Sequence, residues 1–102
     1  MREQRKRLIE TVTAMKHVGR EKAKAENIYR KALCIKILDE RSKGTPVTII
    51  SDVCRGDDKV ADLRMAKDIK ESDYDVCEHM INAIKIELRI IENEMGTERR
   101  GM

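Results

Sequence analysis

The 102-residue chain has no phenylalanine and no tryptophan, and its aromatic residues are Tyr29 and Tyr74 alone. Any core is therefore aliphatic, built from Ile, Leu, Val, Met and Ala. Turn-forming residues are equally scarce: one proline, Pro46, and five glycines. No apolar run approaches the roughly 18 residues that a membrane span needs. The opening residues "MREQRKRLIETVTAM" are basic and lack the apolar centre of a secretory signal, so a cytoplasmic protein that does not enter the membrane is expected. The three cysteines, Cys34, Cys54 and Cys77, are odd in number and widely spaced. They indicate neither a disulfide framework nor a zinc site, and are expected as reduced thiols in core or semi-core positions.

What remains is charge and aliphatic side chains. Charged residues make up 40% of the chain, against about 25% in an average domain. With 40% hydrophobic residues the chain can still bury a core rather than stay disordered. High charge, few breakers and regular apolar spacing point to long helices. The first is expected from about Arg2 to Lys43. Its apolar residues recur at Leu8, Val12, Met15 and Val18, then at Ala25, Tyr29, Ala32, Leu33, Ile35 and Leu38. Gly19 could bend it, and Gly44 follows it as a natural left-handed cap. The second long helix is expected from about Asp58 to Met95, with Asp57 and Asp58 as N-cap residues and a tail over 96–102. Its seam is the clearest pattern in the chain. Tyr74, Cys77, Ile81, Ile84, Leu88, Ile91 and Met95 alternate steps of three and four, a continuous heptad stripe. Continued backwards, the same register meets Val60, Leu63, Lys67 and Lys70.

Neither helix can bury its own stripe, so the two are expected to pair as an antiparallel, coiled-coil-like hairpin. Charge favours this: residues 1–31 carry ten Lys/Arg against four Asp/Glu, and residues 56–102 carry eight against twelve. Two helices make a thin core. The second long helix has further apolar residues off the seam, at Ile69, Val76, Met80, Ile86 and Ile90. These predict a second buried face, which a homodimer forming a four-helix bundle would cover. The seam Tyr74–Met95 is thus the candidate surface for a second copy or a protein partner.

Few residues suggest chemistry. His17 and His79 are isolated, and His79 stands two positions from Cys77, the wrong spacing for one helix face. "ESDYD" and "IENE" read as solvated helix surface. There is no phosphate-binding glycine loop, no nucleophile elbow and no Cys–His arrangement with an orienting partner. A non-enzymatic protein without cofactor or metal is expected. The opening cluster, Arg2, Arg5, Lys6 and Arg7, could meet nucleic-acid phosphates through charge. It lacks interleaved aromatics for base stacking, so nucleic acid is the less favoured partner.

The second half of the chain resembles small all-helical proteins, of uncharacterised role, encoded by tailed phages and prophages of Gram-positive bacteria. The resemblance is carried by Gly44-Thr45-Pro46, Arg55-Gly56-Asp57, the "VADLR" of Val60 to Arg64 and the "ELR" of Glu87 to Arg89. It implies a phage or prophage origin, with some such proteins encoded near replication and recombination genes, and it transfers no catalytic residue. Secreted helical hairpins of the WXG type do not fit, because their Trp-x-Gly turn has no counterpart here.

Between the long helices lies "KGTPVTIISDVCRGDDK", Lys43 to Lys59. Thr45 suits a cap, and Pro46 the first position of a new helix. Val47, Ile50 and Val53 or Cys54 then fall on one side of a short helix over about 46–55, which Gly56 can end. "VTII" could instead form an extended strand, but a lone strand has no partner. The adhesion-like tripeptide Arg55-Gly56-Asp57 then reads as a helix end, a cap glycine and the next N-cap.

Overall fold

A computed structural model of the chain describes the backbone of residues 2–101 and the side chains of residues 2–96. The protein is all-α: α1 spans Arg2–Ser42, α2 spans Val47–Gly56 and α3 spans Asp58–Gly101. Among the described residues there is no strand, and no helix is long and apolar enough to cross a membrane. The chain groups into two compact units, one formed by Met1–Val18 and Asp73–Met102, the other by Gly19–Ser72.

α1 passes through Gly19 without a break, since one internal glycine costs only about 1 kcal/mol. It ends in a Schellman motif. The Thr45 N–H donates to the Glu40 carbonyl and the Gly44 N–H to the Arg41 carbonyl, each at 3.1 Å, which satisfies carbonyls the helix end would orphan. That turn requires Gly44 at φ +82°, a backbone state glycine adopts without steric cost.

The connection is helical, as its spacing predicts, but Thr45 does not cap it. α2 begins at Val47 with Pro46 at the N-cap position and no side-chain cap. The Thr45 hydroxyl donates to the Glu40 carboxylate instead, at 2.6 Å. Of the expected apolar side, Ile50 and Cys54 are buried while Val47 and Val53 are exposed. The junction at Asp57 works as expected. The Asp57 carboxylate accepts from the Val60 N–H at 3.2 Å, and its carbonyl opens the α3 ladder by accepting from the Ala61 N–H at 2.8 Å. At the other end, α3 runs through Gly96 rather than stopping there. Nothing forces a stop, because Gly96 is not at positive φ. Of the expected tail over 96–102, the residues after Gly96 lie outside those whose side chains are described.

Within the second unit, α1 and α3 pair antiparallel. Lys36 of α1 meets Asp57 at 3.6 Å, and Tyr29, two turns back on α1, lies under Lys67, nearly three turns into α3. In the first unit Arg7 of α1 pairs with Glu87 of α3 at 3.2 Å.

Candidate functional site

The seam of α3 is the most protected line of that helix. Ile84 is buried, at 1% exposure, and Val60 is buried. Leu63, Lys67, Lys70, Tyr74, Cys77, Ile81, Leu88 and Ile91 are half-buried, and Met95 is exposed. Tyr74, Cys77, Ile81, Ile84, Leu88, Ile91 and Met95 all belong to the first unit.

The matching line on α1 differs from its expected apolar set. Its protected residues are Gln4, Leu8, Thr11, Met15, Val18, Lys22, Ala25, Tyr29, Ala32, Lys36 and Glu40, again in steps of three and four. Val12, Ile35 and Leu38 point out to solvent. Polar residues take their places, and Thr11, Lys36 and Glu40 each find a partner there. The Thr11 hydroxyl donates to the Arg7 carbonyl at 2.7 Å. Lys36 reaches the Glu40 carboxylate at 3.2 Å, Asp39 at 3.7 Å and Asp57 at 3.6 Å. The carboxylates beside it, Glu40 foremost, hold the Lys36 ammonium above its ordinary pKa. The Thr45 hydroxyl, then Lys36, holds Glu40 below the usual carboxylate range, and Lys43, 3.0 Å away, lowers Asp39. On α3 the seam lysine, Lys67, lies 5.6 Å from the Tyr29 ring centre and pairs with Asp68 and Glu71, both at 3.2 Å. These two carboxylates, Glu71 first, raise its pKa. All three cysteines are free; Cys54 is buried and Cys77 half-buried, but Cys34 is exposed rather than semi-core.

A second stripe runs along α3 one residue before each seam position: Asp62, Ala66, Ile69, Asp73, Val76, Met80, Ala83, Glu87, Ile90 and Glu94. Ile69, Val76, Met80 and Ile90 are 47–54% exposed, as are the flanking Ile86 at 54% and Met65 at 63%. Met65 belongs to this face and is missed when only Ile69, Val76, Met80, Ile86 and Ile90 are counted; its four-residue step to Ile69 is the signal. On α1 a corresponding stripe lies one residue after each seam position. It carries Arg5, Ile9, Val12 and Lys16 in the first unit, and Arg30, Leu33, Ile37 and Arg41 in the second. There, an open groove of about 310 Å³ is lined by Arg30, Leu33, Cys34, Ile37, Leu38 and Arg41. A second groove of about 230 Å³ lies between the paired helices of that unit, lined by Ala32, Ile35, Lys36, Asp39, Asp57, Lys59 and Val60. Of the charged groups around it, Lys36 pairs with both Asp39 and Asp57. Among the described residues no three or more His, Cys, Asp and Glu are placed to hold a metal ion.

Of the opening basic cluster, Arg7 is engaged with Glu87, while Arg2, Arg5 and Lys6 are exposed. The candidate surface is therefore the pair of outer stripes. Compared with family models, curated proteins and solved structures, the chain matches none.

Proposed function

We propose that this is a non-enzymatic helical-hairpin protein that self-associates, at least to a dimer, and presents helix faces to a protein partner. The observation that carries the reading is the second stripe of α3: in the first unit Val76, Met80 and Ile90, with Ile86 beside them, are 47–54% exposed along one helix. Single exposed apolar residues are ordinary, but a contiguous apolar face on a small domain marks an interaction surface. Packing such faces together is how helical hairpins complete a bundle. The resemblance of the second half of the chain supports a phage or prophage origin. On that reading the protein acts in the host cytoplasm, on replication machinery or a defence component.

Light scattering from micromolar to hundreds of micromolar protein tests the self-association. Masses above the 11.8 kDa chain are expected. A folded chain at that mass throughout refutes it. Affinity capture from host lysate with mass spectrometry identifies the partner.

A second reading, binding of nucleic acid through phosphates, draws on the exposure of Arg2, Arg5 and Lys6. It predicts a gel shift at low salt that is lost when Arg5, Lys6 and Arg7 are changed to Glu. The ion pair of Arg7 with Glu87 leaves this cluster weaker than its sequence implies.

A further inference from the structure

We infer that the outer stripe of α3 docks on the outer stripe of α1 of a second copy, so that assembly is heterologous rather than a closed pair of like faces. The inference rests on the self-association proposed above and adds which faces meet.

Charge is sorted between the two stripes. Along α3 the outer stripe bears Asp62, Asp73 and Glu94, together with Glu87, which Arg7 of the same chain already holds at 3.2 Å, and from Asp62 to Glu94 it has no lysine or arginine. Along α1 the outer stripe bears Arg5, Lys16, Arg30 and Arg41. Its one acid, Glu26, pairs with Arg30 at 2.9 Å, so the stripe's outward positive charge is that of Arg5, Lys16 and Arg41. Setting α3 against α3 would bring acidic flanks together with no basic residue on either stripe to offset them, and like charges at helix flanks select against such pairing. Setting α3 against α1 opposes unlike charges, with Val76, Met80 and Ile90 available to meet Ile9 and Val12, or the Leu33–Ile37 groove.

Handedness decides the symmetry. In the second unit the helices are antiparallel, and the outer stripe follows the seam by one residue on α1 but precedes it by one on α3. A single step turns a right-handed helix by about 100°. For two helices pointing in opposite directions, these steps turn the stripes to opposite sides of the pair. The grooves agree: one is lined by Ile35, Asp39 and Lys59, all one residue before their seam neighbours, and the other by Arg30, Leu33, Ile37 and Arg41, all one residue after. A second copy docked on one side of this unit leaves the other side open. Such head-to-tail contact extends into rings or filaments instead of stopping at two.

Two exposed charge-reversal variants test this: Asp62→Lys with Asp73→Lys on α3, and Arg5→Glu with Lys16→Glu on α1. Circular dichroism verifies that each retains its helix. Alone, each is expected to scatter near the single-chain mass, with association weakened at least about tenfold. Mixed in equal amounts they are expected to regain the wild-type mass, because each reversed face then meets an opposite charge. Association of the α1 variant at wild-type strength, or a mixture that stays at single-chain mass, overturns the pairing while leaving self-association standing. A wild-type chain that stays single at all concentrations overturns both.

Discussion

Ile84→Ala is expected to remove about 2–5 kcal/mol of folding stability, whereas Ile86→Ala, two residues along, removes only about 1 kcal/mol from the isolated chain. Ile84 is 1% exposed. The substitution deletes three carbons at about 0.8 kcal/mol each and leaves a cavity that adds to the loss. Ile86 is 54% exposed, so roughly half of the transfer term applies and no closed cavity forms. The contrast is sharp because the fully buried apolar set among the described residues is small: Ile50, Cys54, Val60 and Ile84. A thin core supplies only about 3–5 kcal/mol in total, so Ile84→Ala leaves a marginal fold. Urea denaturation followed by far-ultraviolet circular dichroism measures both variants, with an unchanged slope certifying that only stability moved. A concentration series then adds a second discriminant. If the α3 outer stripe is covered in an assembly, the cost of Ile86→Ala grows with protein concentration, because association stabilises the folded chain by mass action. Equal losses for the two variants at low concentration, or a loss below about 1 kcal/mol for Ile84→Ala, would refute the assignment of seam and outer stripe.

Gly44→Ala is expected to cost about 1 kcal/mol through backbone strain alone, since an added methyl meets nothing within 4 Å. Gly96→Ala, in helical backbone with equally open space, is expected to stabilise by roughly 0.5–1 kcal/mol; thermal melts of the pair decide. Asp57→Ala removes the cap of α3 and is expected to cost about 1 kcal/mol in the same assay. Acid should weaken the second unit. The folded pKa values of Glu40 and Asp39 lie below their ordinary values, so their contribution is complete above the unfolded values, near pH 4, and is lost as pH falls through the folded ones. Urea midpoints should drop below about pH 4, and Glu40→Gln should flatten that slope. Gln4→Leu removes a buried side-chain oxygen that has no hydrogen-bond partner among the described residues, and is expected to raise stability in urea by about 1 kcal/mol.

The α3 seam was legible because its residues are apolar in unbroken steps of three and four, and burial follows those steps. The short helix was legible from Pro46 followed by Val47, Ile50 and Val53 or Cys54 on one side, although only Ile50 and Cys54 of that side are buried and Thr45 does not cap it. The α1 line was legible only in part. Hydropathy assigns Val12, Ile35 and Leu38 to the core and Thr11, Lys36 and Glu40 to solvent, and the fold does the reverse. Periodicity weighs each side chain by type and cannot count the partner that the fold or the next turn supplies. Asp57 for Lys36, Tyr29 for Lys67, and the turn residue Thr45 for Glu40 make those polar positions tolerable.

These polar positions also bear on what the molecule does. A carboxylate or ammonium at a seam position gains little net stability, because its desolvation offsets most of the attraction. It does penalise any register in which the partner is missing, as single polar residues in coiled-coil seams do. Lys36 held between Glu40 and Asp57, and Lys67 held over Tyr29, fix how α1 and α3 align in the second unit more than how strongly they adhere. A chain whose inner seam is spent on alignment keeps much of its aliphatic surface on the outside: Val12, Ile35 and Leu38 on α1, and Met65, Ile69, Val76, Met80, Ile86 and Ile90 on α3. That distribution gives a physical reason to look for further stabilisation, and for function, in contacts with another chain.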